Sequence, residues 1–452
     1  MKEYRFEELS QQAIALLEQK KYAQLRAVLD TMNAADIALM AEEVKEEALP
    51  LLFRILPKET AAEVFVEMES ETQQTLIRAF SDRELKQVID QMYLDDTVDL
   101  IEEMPANVVK RILRHTDPDM RKKINEVLQY PKDSAGSIMT IEYVDLRKDM
   151  TVGQAFEHIR KTGVDKETIY TCYVTEADRK LIGLVSVKTL LLSDSSLKIS
   201  DIMETNIISV NTLEDQETVA QQFDKYDFLA IPVVDRENRL VGIVTVDDAM
   251  DILREENSED ISKMAAVTPS GRPYLKTRPV SLWKARVPWL LLLMISATFT
   301  GMIISSFEKK LASCVSLTAY IPMLMGTAGN SGNQASVTVV QGLSLGEIKF
   351  SDTLRVIWKE ARVAVLCGVT LAVCNFIKMM ALDQRGLAVA LAVCVTLPFV
   401  VICAKIVGAG LPILAKKLGF DPAVMASPFI STIMDSVSLL IYFQVASYFL
   451  QL

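Results

Sequence analysis

The sequence predicts a multidomain membrane protein with an all-α superhelical N-terminal domain, an α+β tandem repeat, and an α-helical transmembrane domain of five spans. Three observations predict it. Short segments with apolar residues at helical spacing recur every dozen or so residues up to about residue 130. The chain then repeats itself with a period near 60 residues, from about 137 to 255. Beyond residue 286 come stretches that meet the requirement of about 20 predominantly apolar residues for crossing a bilayer.

Charge divides along the same lines. The 452 residues carry a net −11, but from Lys276 onward there are seven acids and fifteen bases, a net of about +8. The first 275 residues therefore hold about −19. Nucleic acid is excluded as a partner of this acidic half, because backbone binding needs clustered Lys and Arg. Small divalent cations match it, since like charges at that density repel unless counter-ions screen them. Five of the six cysteines (Cys314, Cys367, Cys374, Cys394, Cys403) are scattered through apolar stretches and Cys172 is alone, so no zinc or disulfide spacing is present. The opening MKEYRFEELSQQ lacks the apolar core of a signal peptide, and a cytoplasmic soluble half is expected.

Residues 1–130 contain AADIALMAEEV, TAAEVFVEM, DRELKQVIDQM, LDDTVDLIEEM and NVVKRILRH, with Asp, Ser or Pro at the joins. Each is too short to be stable alone, so stacking into a superhelical scaffold is expected. The repeat divides into copies at 137–199 and 200–255. SIMTIEYVDL, AFEHIR, IYTCYVTEAD and KLIGLVSVKTLL are matched by DIMETNIISV, VAQQFDK, LAIPVVDREN and RLVGIVTVDDAM. Gly183 aligns with Gly242, Met139 with Met203 and Val174 with Val234. The β-α-β-β-α order and the closing GLVSV and GIVTV strands resemble a tandem pair of CBS domains. That resemblance implies a regulatory module for an adenosine nucleotide such as ATP, with Gly242, Thr245, Asp248 and Phe228 as candidate contacts. The first copy keeps Gly183 and Ser186 but has Thr189 in place of the acid. A helix N-cap by Thr245 with Asp248 is the plain structural alternative.

The stretch 247–275 begins DDAMDILREENSEDISKMAA, which crowds Asp248, Asp251, Glu255, Glu256, Glu259 and Asp260 onto one helical segment. Like charges at such spacings destabilise a helix by a few tenths of a kcal/mol per pair, so a positive partner is expected. The transmembrane domain, 276–452, follows. Lys276, Arg278, Lys284 and Arg286 precede the first span, which orients this end to the cytoplasm, and Trp283 and Trp289 suit the interface. Spans are expected at about 287–307, 315–343, 363–382, 387–411 and 423–450, leaving the C-terminus outside. Lys349, Arg355, Lys359 and Arg362 after the second span, and Lys416 and Lys417 with Lys405 around the end of the fourth, agree with that orientation.

The last span has one formal charge, Asp435, about midway. Ser427, Ser431, Thr432, Asp435 and Ser438 share a helical face, and Pro428 is expected to free the carbonyl of Val424. An ionised carboxylate at bilayer depth costs several kcal/mol and usually faces a bundle interior or a hydrated path. The second span, IPMLMGTAGNSGNQASVTVVQG, is too polar and Gly-rich for a lipid-facing helix. Its Asn330, Asn333 and Gln334, with Ser431 and Asp435, read as the lining of one cation path. The runner-up, a transporter of another divalent cation or of an anion, requires in its anion form basic residues or helix N-termini at the path. An enzyme is not indicated: His115 and His158 are the only histidines, and HExxH, GxSxG and Walker A patterns are missing.

Throughout its length the chain resembles the MgtE family of magnesium channels. The resemblance rests on the domain order, on YPKDSAGSIMT, on PMLMGTAGNSGNQ, and on FDPAV followed by PFISTIMDSVSLLIYF. It implies a homodimer in the cell membrane of a prokaryote, with a pore between two membrane halves and Asp435 as the pore aspartate holding hydrated Mg²⁺. It also implies regulatory Mg²⁺ held by Asp95 and Asp99 in the helical domain and by Asp227 in the CBS pair. Around the linker, or plug, helix the implied ligands are Asp248, Asp251, Glu256, Glu259 and Asp260, with Asp421 at the inner mouth of the last span. Mg²⁺ demands octahedral oxygen and sheds water reluctantly, which fits carboxylates in preference to His or Cys.

Overall fold

The computed structural model describes residues 2–269, 274–275, 277–308, 312, 314–383, 386–425 and 427–451. Lys276 lies outside these, as does the side chain of Ser427. The chain forms two compact units, Met1–Leu253 and Arg254–Leu452.

The first unit opens with ten helices: α1 (Lys2–Glu18), α2 (Tyr22–Leu29), α3 (Ala34–Ala41), α4 (Leu49–Ile55), α5 (Lys58–Val66), α6 (Ser70–Ala79), α7 (Asp82–Ile89), α8 (Leu94–Glu103), α9 (Ala106–His115) and α10 (Pro118–Val127). Most joins carry a stop or start signal. Pro57, Pro105 and Asp117 are N-caps, and Ser81 makes a capping box with Glu84. Helices stack on the one two places along: α3 on α5, α5 on α7, α7 on α9, and α4 on α6. This alternation is the superhelix, and it buries Leu25, Ile37, Leu52, Phe65, Leu76, Leu85 and Leu94 in one continuous core. Each such side chain contributes about 1.5–3 kcal/mol on burial. Phe53, Phe65 and Phe80 meet at ring separations of 6.4, 5.8 and 6.5 Å.

Two three-stranded sheets follow, ordered β1 (Val144–Arg147), β2 (Thr171–Thr175), β3 (Leu181–Ser186), and β4 (Val210–Asn211), β5 (Ala230–Val234), β6 (Leu240–Thr245). In each, the first pair is parallel and the second antiparallel. The crossover helices are α11 (Val152–Thr162) and α14 (Gln216–Tyr226). After the third strands come α12 (Val187–Leu192) and α15 (Val246–Met264), and α13 (Ile199–Ile202) joins the copies.

The copies exchange their leading segments. Thr140, at the head of the first, pairs with Ile243 on β6, while Glu204, at the head of the second, pairs with Leu184 on β3. Glycine makes this fit: a Cβ on Gly183 would stand 2.6 Å from Met203 Sδ, and one on Gly242 2.6 Å from Met139 Sδ. The repeat alignment needs one correction. Val174 lies opposite Gly183 and Val233 opposite Gly242, so Val174 corresponds to Val233 and not to Val234. β5 is buried on both faces, so the alternation that would reveal a one-residue slip is missing from its sequence.

In the second unit, α16 (Pro279–Ser306), α18 (Thr353–Ala381), α19 (Leu387–Lys417) and α20 (Ser427–Leu450) are long and apolar enough to cross a membrane. The remaining long helix, α17 (Ile321–Ser344), has 24 residues and packs against both α19 and α20. A 3₁₀ turn, Val315–Tyr320, precedes it. Gly332 of α17 meets Gly408 of α19 backbone to backbone, with no room for a Cβ on Gly408.

Two details differ from expectation. α20 begins at Ser427 after a separate 3₁₀ turn, Pro422–Met425, so Pro428 stands in the first helical turn, where its missing N–H frees no intrahelical carbonyl. Pro428 O instead accepts the Thr432 hydroxyl at 2.9 Å. Lys405 is also not near a loop, because α19 continues to Lys417. Lys405 is 5% exposed and paired with Glu360 at 3.5 Å.

Candidate cation sites

In the membrane unit, α17 and α20 meet through polar groups that glycine admits. Asn333 Nδ2 donates to Ser431 Oγ at 3.1 Å, and Ser431 lies over Gly329, where a Cβ would be 3.2 Å from its hydroxyl oxygen. Asn330 and Gln334 lie on the exposed side of α17, continued by Thr338 and Gln341 at helical spacing. Asp435 is half-buried and has no ion-pair partner among the described residues. Ser438 is fully buried and donates to the Asp435 carbonyl at 3.0 Å, so the C-terminal end of the hydroxyl stripe turns into the bundle. Of the five predicted lining residues, Asn333 and Ser431 are in direct contact.

The first unit brings distant acids together. α8 presents Asp95, Asp96 and Asp99, and Asp95 is only 6% exposed. Glu142, just ahead of β1, caps α8 by accepting the Leu94 N–H at 3.3 Å, and its own carbonyl accepts the Glu167 N–H at 2.9 Å. Asp247 and Asp248 open α15, where Thr245 Oγ1 donates to Asp248 Oδ2 at 2.6 Å.

Burial, and then the Asp248 charge, push Asp95 well above the usual carboxylate range. The same two causes raise Asp96 to about 7 and Asp99 to about 7, although Asp99 keeps its outer side in water and is correspondingly screened. Burial followed by Asp96 lifts Glu167 to about 8, and its Oε2 is buried without a hydrogen-bond partner. Asp248 rises to about 6, burial outweighing the Thr245 hydroxyl, and Glu142 rises by burial despite Lys123 and Lys166. Among the described residues no three such groups converge on one point as a preformed metal centre. The chemistry of the set is that of crowded carboxylates short of positive charge, which bind either protons or cations.

The second unit has a smaller cluster. Glu259 and Asp260 on α15 approach Asp421, which is fixed by its Oδ1 accepting the Ala423 N–H at 2.8 Å. Asp260 accepts the Ser344 hydroxyl at 3.3 Å. Burial and then Asp421 raise Asp260 above its ordinary range. Lys263 Nζ lies 2.5 Å from Glu259 Oε1 and 2.7 Å from Asp421 Oδ2.

The expected ligands thus divide. Asp95, Asp99 and Asp248 come together, as do Glu259, Asp260 and Asp421. Asp251 adds its charge to Asp248, Glu256 lies on α15 and is in neither group, and Asp227 is a left-handed C-cap on α14, φ 55°. Sequence reasoning missed Asp96, Asp247, Glu142, Glu167 and Lys263. The crowding of acids around Asp95 and Asp248 was a usable signal for the first two. Glu142 and Glu167 are brought in only by the fold.

The candidate nucleotide residues are engaged locally. Thr245 and Asp248 bond to each other, Gly242 admits Met139, and Phe228 stacks on Tyr226 at 5.4 Å. The first copy repeats the cap, with Thr189 N–H donating to Ser186 Oγ at 3.0 Å. Clefts of about 670 and 320 Å³ open in the helical region, around Val109 and Leu113 and around Phe53 and Lys58, away from these residues.

A family model described as a divalent cation transporter matches residues 321–445. Others, the MgtE intracellular N domain and the CBS domain, match 32–133 and 135–195 with 199–255. The chain is 36% identical over 432 residues to the magnesium transporter MgtE of Thermus thermophilus, covering 94% of this chain and 95% of that protein. It is 34% identical over 448 residues to the magnesium transporter MgtE of Bacillus subtilis, covering 98% of each. Among solved structures it resembles the soluble part of a magnesium transporter, with TM-score 0.52 and 29% identity over 56% of this chain and 99% of that one. It also resembles the cytosolic domain of the Mg²⁺ channel MgtE in complex with ATP, with TM-score 0.50 and 34% identity over 53% of this chain and 99% of that one.

Proposed function

Because the chain belongs to the MgtE family of magnesium transporters, we propose that it conducts Mg²⁺ through a pore lined by α17 and α20 of two protomers, and that cytosolic Mg²⁺ closes that pore. It is a multi-pass membrane transporter and not an enzyme. The observation that carries the pore is Asp435, a carboxylate inside a helix of membrane-crossing length with no ion-pair partner among the described residues. Beside it α17 exposes Asn330, Gln334, Thr338 and Gln341 on a single protomer. Bare amides in lipid cost several kcal/mol each. A second copy across a two-fold axis would cover them and set two Asp435 carboxylates face to face, a pair suited to a hydrated dication and less well balanced by a monovalent ion.

Closure is supported by the carboxylate cluster around Asp95, Asp96, Asp99, Glu167 and Asp248. Ionised, these groups repel; bridged by Mg²⁺, they hold the helical domain and the CBS pair together. Asp251, Glu256, Glu259, Asp260 and Asp421 extend the ion-dependent contact along α15 to the inner mouth, with Asp227 a further CBS ligand. The basic flanks of the spans support five crossings with the N-terminus in the cytoplasm and the C-terminus outside. A regulatory adenosine nucleotide at the CBS pair would exchange its ribose hydroxyls into the Thr245–Asp248 bond, beside Gly242 and Phe228.

Asp435→Asn tests the pore. The variant should fold as a dimer in detergent and lose Mg²⁺ uptake or its selectivity in proteoliposomes. Wild-type uptake by a well-folded Asp435→Asn protein refutes the assignment.

A further inference from the structure

Lys263 is the one base in contact with the acids at the inner mouth among the described residues. Its ammonium lies between Glu259, one turn back on α15, and Asp421, some 160 residues further along the chain. Burial works against its charge, but hydrogen bonds to Asp421 and Glu259 outweigh that and hold it protonated well above the ordinary lysine range. Asp260 joins the same group, oriented by Ser344. Three carboxylates thus share one positive charge, and two negative charges stay uncompensated.

We infer that Lys263 is a tethered cation occupying the space in which a divalent ion would bridge Glu259 to Asp421, and that it sets the Mg²⁺ concentration at which the pore closes. This rests on the reading of those acids as regulatory ligands. An ammonium satisfies both carboxylates with one charge and three rotatable donors, on a flexible four-carbon stem that can swing aside. A dication that enters must displace it. Removing the ammonium leaves three acids with no counter-charge and a vacant bridge, so dication affinity rises. Arginine, with a rigid fork that grips carboxylates in pairs, keeps the charge and is harder to dislodge.

The test reads free Mn²⁺ by its paramagnetic resonance as the ion is titrated into purified full-length protein. Lys263→Met should create Mn²⁺ binding at least about tenfold tighter than wild type, as loss of a unit charge a few ångströms from a dication requires. Lys263→Gln, a polar neutral side chain, should do the same if Lys263→Met folds poorly. Lys263→Arg should not tighten binding. Adding Asp421→Asn to Lys263→Met should erase the gain. In proteoliposomes the half-closing Mg²⁺ concentration of Lys263→Met should fall by the same factor. Superimposable Mn²⁺ curves for wild type and both neutral variants overturn the inference, as does a gain that survives Asp421→Asn. Mn²⁺ binding is read without transport, so a chain that moves no dication would refute the pore while leaving this result to stand or fall by itself.

Discussion

Asp96→Asn tests the acidic cluster quantitatively. Burial, then Asp248 and Asp247, raise Asp96 from the ordinary carboxylate value of 3.8 to about 7. A group whose folded value is raised binds more protons folded than unfolded. Its stabilising effect is complete below about pH 4 and is lost as pH rises through about 7. A rise of roughly three units corresponds to about 4 kcal/mol against the ionised form. Allowing for water on its outer side and for protons shared with its neighbours, about 2 kcal/mol is the working figure. Asn has the shape of a protonated carboxyl and no charge. At pH 8 without divalent cation, Asp96→Asn should therefore melt roughly 4–8 °C above wild type for a unit of this size, and the gap should narrow steadily as pH falls to 5. Mg²⁺ should raise the wild-type Tm strongly at pH 8 and weakly at pH 5, where protons already hold the cluster, and should raise the variant less. The assay is thermal unfolding of residues 1–253 by circular dichroism across pH 5–8, with NaCl of equal ionic strength as control. A wild-type Tm that is flat or rises with pH refutes the reasoning, as does NaCl stabilising as well as MgCl₂.

Neutralising Asp248, Asp251, Glu256, Glu259 and Asp260 together should abolish closure by internal Mg²⁺. Flux through proteoliposomes that still falls as internal Mg²⁺ rises would count against the gate. Gly183→Ala and Gly242→Ala should cost the soluble unit about 1–3 kcal/mol each in urea unfolding, because each drives a Cβ into Met203 or Met139. Met203→Ala should recover part of the Gly183→Ala loss only if the exchanged pairing exists in solution. Lys405→Met leaves Glu360, 14% exposed, without its ion-pair partner, which should cost about 3 kcal/mol, seen as a lower Tm in detergent. Adding Glu360→Gln should restore most of it, and an unchanged Tm for the single variant would mean the pair is hydrated.

Periodicity and composition made the three-part architecture legible, because each part has its own repeat length. Asp435 was legible for a simpler reason: a lone carboxylate among apolar residues needs no alignment to be noticed. Long-range geometry was not legible. Glu142 lies 48 residues from Leu94, which it caps, and Glu167 lies further still, and nothing local distinguishes them from solvated acids. Lys263 went unread: its i,i+4 spacing from Glu259 is ordinary for a helix, and only the fold adds Asp421. Lys405 was expected near the start of a loop because hydropathy ends the fourth span early. Its ion pair with Glu360 allows the helix to continue past the charge. The exchange of leading segments between the CBS copies was hidden because each copy contains every strand it needs, so a self-contained pairing satisfies the same pattern.

Under the proposed function, the three carboxylate groups differ most in how much of their charge is already compensated, and that difference fixes an order of affinity. The cluster around Asp95 and Asp248 joins raised acids from α8, the segments before β1 and β2, and α15, with Lys123 and Lys166 offsetting only Glu142. The inner-mouth cluster sets three acids against Lys263. The pore has one Asp435 per protomer. A dication gains most where uncompensated charge is greatest, so the soluble sensor should fill first, the mouth next and the pore last. A channel closed by the ion it admits needs this order. The conducting site must release its ion to the cytosol, which limits how tightly it binds, whereas the sensor must be occupied before cytosolic Mg²⁺ climbs to the level that would hold an ion in the pore. Reversing the order, by lysine substitutions that compensate the sensor, would leave a pore that conducts but does not close.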